Sequence, residues 1–466
     1  MNTGRTGMVA ARAAISTAGH NISNANTEGY SRQRVHTSPD TPKSLGDKGT
    51  LGTGTLVSRV DRVNDEYLDR QLRGAGRDVA NLEEKDLLLR QTEDVFNEMG
   101  GDGLNRLTAK FFNDFRRLAN EPDSEAVRQS VRESTSAMVS DFHRLRADLV
   151  NIRDHSDNRL ESHVNEINSL ATELKDLNVR INAYSAGGAL PNDLLDKRDV
   201  VLKKMGSMID LNMHQDNSGN FVVDIKGMGP LVVGPQVEQF SVERSPADGR
   251  GKPENSYDLK TSANANGIVT HAVKGGKIGA VLEVRDGLIG NLIGKLDELA
   301  YNITSAVNAI HEQGFNRYGT QGASFFKQPV QVDRAAEFME LSDQVKSDTN
   351  FIATAAMPDS PGDNRIALAI GQIQNARIMS NGKSTADDFY NSIVSDIGVT
   401  TARNRSSMNQ QKDIQLQLNK MRDQLSGVSI DEETANLLQF QHVFDASAKV
   451  VTIADEMLKT ILDMRR

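Results

Sequence analysis

The 466-residue chain contains no cysteine and no tryptophan, and only 5% of its residues are aromatic. Lack of cysteine excludes disulfides, thiolate metal sites and a cysteine nucleophile, and leaves the redox compartment open. With 38% hydrophobic and 25% charged residues, large apolar side chains are too few for one thick globular core. Long helices, each with a narrow apolar stripe, suit this composition better. No apolar run approaches the ~20 residues that span a bilayer, so membrane insertion is not expected. The opening MNTGRTGMVAARAA lacks the apolar core and small-residue cleavage site of a secretory signal peptide. A net charge of −9 and a pI near 5.6 give no basic footprint for nucleic acid.

What the chain does have is helical periodicity at both ends. Met1, Gly4, Met8, Ala11, Ile15, Ala18 and Ile22 alternate three and four residues apart, as in a coiled-coil seam. The seam is thin, because Ala and Gly fill most of it, and a helix of this kind needs partners to be ordered. It should end between Gly19 and Asn24, where Asn and Ser compete for backbone hydrogen bonds. Residues 30–60, rich in Thr, Ser, Gly and Pro, read as an extended arm. Leu104, Leu107, Phe111, Phe115 and Leu118 make an amphipathic stripe that stops at NEPD, Asn120 to Asp123. The longest periodic run spans Ser124 to Tyr184, with a polar step at Ser156, and predicts a rod of about 90 Å.

From Ile209 to about Val284 the pattern changes to short alternating runs such as FVVDIKG and QFSVER between Gly, Pro and Asn turns. This predicts a small β insertion in a helical chain. Helix should return over Gly287 to Gly314. Near the end, Ser429 and Glu432 have capping-box spacing, with Asp431, Glu432 and Glu433 in the first turn. The last helix then carries Leu437, Phe444, Val451 and Leu458 at a, Phe440, Ser447, Ala454 and Ile461 at d, and Val443, Val450, Met457 and Met464 at g. So broad an apolar face cannot be buried by one helix. The fold class is mainly α with a β insertion: terminal coiled-coil helices, a long-helix bundle domain and a small β-rich outer domain.

Catalytic and metal motifs are weak. HEQGF at His311 starts like a zinc-protease motif, but Phe315 replaces the second histidine, and a surface loop is expected there. The nine histidines are scattered, without zinc spacing. GTLGTGT at Gly49 to Thr55 lacks the Lys-Ser/Thr of a P-loop and reads as a turn. PGDN at Pro361 to Asn364 reads as an Asx-turn leading into a helix rather than a calcium loop. No enzyme activity, metal or cofactor is expected.

AGHNISNANTEGYSRQ resembles the N-terminal signature of bacterial flagellar rod, hook and hook-associated proteins, with Asn21, Ile22, Asn24, Asn26, Thr27, Gly29 and Tyr30 matching. Tyr30-Ser31-Arg32-Gln33 is similar to the junction branch of that group. SGVSIDEETANLLQFQHVFDASAKVVTIADEMLKTILDMR is similar to the C-terminal helix of the flagellar hook-associated protein 1 family. So are NDLLDKRD (Asn192 to Asp199), GGKIGAVLEVRD (Gly275 to Asp286), VNAIHEQGFNRYGTQGASFF (Val307 to Phe326) and PGDNRIALAIGQIQN. Such matches in the right order are more specific than any single motif. The family's first helix usually begins upstream of this Met1, and many members are longer, which implies a reduced outer module.

The resemblance implies a structural axial protein of the bacterial flagellum, an adaptor at the hook–filament junction needed for filament assembly. Its parts would be a tube-lining helix (1–30), an arm and first bundle part (31–208), a β-rich outer domain (209–286), a second bundle part (287–400) and tube-lining C-terminal helices (401–466). It also implies type III export, so the protein would be secreted to the extracellular flagellum after a transient cytoplasmic stage. Expected partners are the hook protein, the second junction protein, further copies of the chain and an export chaperone on the C-terminal helix. The assembly or chaperone interface would include Met8, Ile15, Ile22, Leu437, Phe440, Val443, Phe444, Val450, Val451, Met457, Leu458 and Ile461. Alternatives are another axial protein, either the hook protein or the second junction protein, or an axial protein with an added cell-wall hydrolase.

Overall fold

A computed structural model describes residues 1–44, 49–97, 103–188, 190–216, 221–225, 229–244, 256–262, 264–360 and 362–464. The chain begins in α1 (Asn2–Ser23) and leaves it through a tight turn into a long hairpin. That hairpin comprises β1 (Gln33–Pro39), the short tip strands β2 (Lys43–Ser44) and β3 (Thr50–Leu51), and β4 (Thr55–Arg62). β1 and β4 are antiparallel, with Gln33 opposite Arg62 and Pro39 opposite Thr55, and a bulge follows His36. This is the extended arm expected from its β-branched, Gly-punctuated sequence.

The bundle is built from α2 (Glu66–Val95), α3 (Leu104–Asn120), α4 (Glu125–Ala186) and α5 (Asn192–Met208). Asp65 caps α2 by accepting from the amides of Tyr67 and Leu68, and Ser124 caps α4 through Val127. α4 is one unbroken helix of 62 residues. The polar step at its middle does not interrupt it: Ser156 donates its hydroxyl to the Ile152 carbonyl at 2.8 Å. The next residue, Asp157, takes the fully buried Arg285 at 2.5 Å. Polarity there serves a partner from another element, since a buried guanidinium must be paired.

Strands β5 (Leu211–Gln215), β6 (Phe221–Ile225), β7 (Gly229–Val233) and β8 (Gln236–Val237) form a four-stranded antiparallel sheet in sequence order. β9 (Phe240–Arg244), β10 (Tyr257–Thr261) and β11 (Asn264–Ile268) form a second sheet with β10 in the centre. Both rest on α4: Asn168 exchanges hydrogen bonds with the backbone of Phe240 at 2.8 and 2.9 Å, and Asn178 donates to the Phe221 carbonyl.

Helix returns earlier than its apolar pattern indicated, at α6 (Gly276–Leu282), and continues through a π-helical turn (Glu283–Ile289) into α7 (Gly290–His311). The β-branched run of Ile278, Val281 and Val284 reads as strand by propensity, yet all three are buried among helices; packing overrides the local preference. A largely irregular segment follows, holding α8 (Ala335–Phe338), α9 (Asp343–Ser347) and α10 (Arg365–Gln372). Phe325 and Phe326 from it complete an aromatic cluster with Phe111 and Phe115 of α3. Within the PGDN turn, Asp363 accepts from the amides of Ala356 and Arg365; Pro361 lies outside the described residues.

His311 is the clearest departure from expectation. It is fully buried rather than on a surface loop. Nδ1 donates to the Ala323 carbonyl at 2.6 Å, and Nε2 accepts from the Ala353 amide at 2.9 Å. Burial pushes its pKa down to about 4, against the opposing pull of the Ala323 carbonyl. Both ring nitrogens are committed to backbone, so this histidine is a tie between three segments.

The chain closes with α11 (Ala386–Ser426), paired with α2, and α12 (Ile430–Asp463), which returns antiparallel along α1.

Candidate assembly interface

The turn after α1 works through side chains more than through unusual backbone. Asn24 donates from Nδ2 to the His20 carbonyl (3.0 Å), closing the helix end, and receives Thr27 at both its carbonyl and its Oδ1. Only Gly29 in this stretch has positive φ, at 79°, and a Cβ there would fall 2.1 Å from a Val200 methyl. Glycine is required twice over, by conformation and by contact. Asn26 is exposed and Ile22 half-buried.

Asn21, 1% exposed, is the centre of the site. Its amide pairs with Gln33 as a strand neighbour would, donating to the Gln33 carbonyl and accepting from the Gln33 amide, both at 2.9 Å. It also accepts from the Tyr30 hydroxyl at 2.7 Å and donates to Glu433 of α12 at 3.0 Å. Glu433, 3% exposed, is neutralised by Arg32 at 2.7 Å, and Arg32 also reaches Glu432 at 3.0 Å. Burial, then the nearby Asp193, Asp196 and Glu433 carboxylates, raise the Tyr30 pKa, so the phenol stays protonated and donates. Each residue of Tyr30-Ser31-Arg32-Gln33 therefore has a defined target: Asn21, Asp196 through the Ser31 amide, the two glutamates, and Asn21 with Asp193.

The capping box at the start of α12 is half of what its spacing predicts. Ser429 accepts from the Glu432 amide at 3.4 Å, but the Glu432 carboxylate turns to Arg32. An ion pair with the arm replaces the reciprocal bond.

α1 and α12 approach closely at glycine. A Cβ on Gly4 would lie 2.7 Å from a Val451 methyl and 2.9 Å from the Ser447 carbonyl, and one on Gly7 would lie 2.7 Å from the Ser447 hydroxyl. The buried face of α1 is Gly4, Ala10, Ala11, Ala14, Ala18 and Asn21. Met8, Ile15 and Ile22 sit half-buried at its margin, because the arm lies over the alanine side: Thr6 meets Gly54, and its hydroxyl accepts from the Thr55 amide. Small residues admit a strand and a helix at once, a signal that a search for large apolar residues passes over.

On α12, Leu437, Phe440, Phe444 and Val451 are half-buried toward α1. Val443, Val450, Met457, Leu458 and Ile461 remain 45–62% exposed, forming an apolar row along and beyond the helix pair. A groove of about 440 Å³ runs beside this row between α1, β1 and α12, with Ala10, Ala14, Val35, Phe440 and Val443 among its walls. Among the described residues, no group of three His, Cys, Asp or Glu is placed to hold a metal ion, and no helix is long and apolar enough to cross a membrane.

Comparison with known proteins agrees with this geometry. Residues 1–30 match the flagella basal body rod protein model, and residues 424–464 match the flagellar basal body rod FlgEFG protein C-terminal model. The two paired helices thus place the chain in the flagellar rod and hook class. The flagellar hook-associated protein FlgK helical domain model covers residues 89–326, and the chain belongs to that family. It is 28% identical to flagellar hook-associated protein 1 of Bacillus subtilis over 99% of this chain and 97% of that one. Identity to the Salmonella typhimurium protein of the same name is 24%, over 100% and 99% of the two chains. The solved structure of the flagellar hook junction protein FlgK from Burkholderia pseudomallei shares the fold, with a TM-score of 0.67 and 16% identity over 76% of this chain and all of that one.

Proposed function

We propose that this protein is a non-enzymatic structural adaptor at the hook–filament junction of the bacterial flagellum. The observation that carries the reading is the terminal helix pair. α12 is registered on α1 by a buried Asn21–Glu433–Arg32 network, yet keeps an uncovered apolar row from Val443 to Ile461. Exposed apolar surface of this extent marks a contact with other chains. In the assembled flagellum that row packs against neighbouring copies, with the hook protein on one side of the ring and the second junction protein on the other. Before export, the same row of α12 is the surface an export chaperone would cover, as a helix face laid in a partner's groove. The names of the relatives, hook-associated protein 1 and hook junction protein, support this location.

Deletion of the gene tests the reading by electron microscopy and by assay of the medium. Hooks should still form, while filament protein accumulates outside the cell unpolymerised. Normal filaments on the deleted strain would overturn it.

A further inference from the structure

One face of α5 carries a cluster of polar contacts between the terminal pair with its arm and the bundle. Asn192, Asp193, Asp196 and Asp199 project from the first turns of α5 toward the arm. Asn192 donates to the Val60 carbonyl at 2.9 Å, and Asp193 accepts from Gln33 at 2.9 Å and from His20 at 3.1 Å. Asp196 accepts from the Ser31 amide at 3.1 Å. One guanidinium nitrogen of Arg62, at the end of β4, spans Asp196 at 2.8 Å and Asp199 at 2.7 Å. The Arg62 and Asp196 side chains are only 10% and 7% exposed. The apolar part of this seam is the contact of Val200 with Gly29.

A second set of contacts differs in kind. Where three stretches of chain cross, the Arg32 amide donates to the carbonyl of Ser426, the last residue of α11, at 2.9 Å. The Arg32 carbonyl accepts from the Val63 amide at 2.8 Å. These are backbone bonds beside the covalent links into α2 and α12. They involve no side-chain atom, so the crossing is a fixed point, whereas the α5 face is held through its polar side chains.

We propose that this seam is a latch and pivot. Arg62 clasped by Asp196 and Asp199 holds α1, α12 and the arm at one angle to the bundle. Releasing the clasp lets those three elements swing together about the crossing at Arg32, Val63 and Ser426. The swinging unit stays intact, because Asn21, Arg32, Tyr30 and Glu433 tie it internally and none of those ties involves Arg62. An ionic seam suits such a device. Breaking it exposes little apolar surface, and carboxylates released from a guanidinium regain water, so the open and closed states lie close in free energy. For an adaptor between two lattices, a junction angle set by one clasp lets a single chain satisfy two neighbours; this purpose rests on the adaptor reading, while the latch itself does not.

The chain's lack of cysteine makes the test direct. Nitroxides on Glu173→Cys in α4 and His442→Cys in α12 report the distance across the seam by pulsed electron–electron resonance. A pair on Arg12→Cys and His442→Cys reports the distance within the terminal pair. The otherwise unaltered chain should give one narrow distribution for each. Arg62→Met, and separately Asp196→Asn with Asp199→Asn, should broaden or shift the cross-seam distribution and leave the internal one unchanged. A cross-seam distribution that stays narrow in both variants would overturn the latch. So would equal broadening of the internal pair, which would make Arg62 a support of the helix pair itself. All of this is read on the isolated chain, so its failure would leave the junction assignment standing, and failure of the deletion experiment would leave the latch standing.

Discussion

Replacing Asn21 with aspartate changes one nitrogen to oxygen and leaves shape alone. The asparagine makes four hydrogen bonds, two accepted at Oδ1 (Tyr30 hydroxyl, Gln33 amide) and two donated from Nδ2 (Gln33 carbonyl, Glu433). Asn21→Asp keeps the accepted pair and loses the donated pair. It also sets a second carboxylate at hydrogen-bond distance from buried Glu433, with only Arg32 to balance both. At an effective dielectric near 20, two like charges about 4 Å apart repel by roughly 4 kcal/mol, and protonating one of them instead carries a comparable penalty at neutral pH. With the unsatisfied Gln33 carbonyl added and partial access of water through the groove, we expect the α1–α12 pairing to weaken by about 2–4 kcal/mol. Trypsin reads this at Lys449, in mid-α12, where cleavage requires local opening and tracks the open population. The rate there should rise from about thirtyfold to several hundredfold, while cleavage in α4 is unchanged, since 1.4 kcal/mol is about a factor of ten. Adding Glu433→Gln supplies an amide that donates back to the new carboxylate, and should recover most of the protection. A single variant within about threefold of the parent at Lys449, or a double variant no better than the single, would refute the claim that this contact registers the two helices.

Two further outcomes follow from other buried groups. Because His311 has a folded pKa near 4 against 6.5 unfolded, the unfolded chain binds the extra proton between those values; the stability it contributes is complete above about pH 6.5 and declines by about 3 kcal/mol as pH falls to 4. Urea midpoints should therefore drop less between pH 7 and 4.5 in His311→Gln than in the parent, and parallel profiles would contradict this. Gly29→Ala forces a left-handed residue costing about 1–2 kcal/mol and drives a methyl into Val200, so the melting temperature should fall. Adding Val200→Ala should restore only the steric share, and full restoration would show that the backbone at Gly29 is not strained.

The elements that were legible in the sequence are those whose cause is local. α4 follows from its apolar stripe and Ser124 cap, α3 ends at the Asn120 to Asp123 breaker, and Ser429 caps α12 as its spacing predicts. The arm was legible because residues 30–60 are rich in Thr, Ser, Gly and Pro. What escaped has a cause remote in sequence. Glu433 looked like a first-turn acid answering the helix dipole, and nothing near it names Asn21, 412 residues away. Likewise the polar step at Ser156 has no local cause: the partner of its neighbour Asp157 is Arg285, 128 residues further on. His311 sits in a polar-looking stretch, and its burial follows from which backbone groups surround it, a consequence of fold rather than of pattern.

The same distinction explains why the seam of α1 is buried at Gly4, Ala11 and Ala18 but not at its larger residues. Periodicity identifies the side of a helix with most apolar area, and on α1 that side includes Met8, Ile15 and Ile22. Burial, however, is decided by how many elements must share the surface. α1 takes a helix and a strand together, and the small residues Gly4, Gly7, Ala10, Ala11, Ala14 and Ala18 leave room for both. With so little side chain in the contact, apolar area discriminates poorly between alternative registers, and slippage by one turn would change it little. A buried polar network discriminates strongly, because every misregistered pairing leaves Asn21, Glu433 and the Gln33 backbone unsatisfied. The asparagine in the terminal signature therefore does what the thin seam cannot: it fixes where the end of the chain lies on its beginning, and so fixes which apolar residues of α12 face outward toward the next subunit.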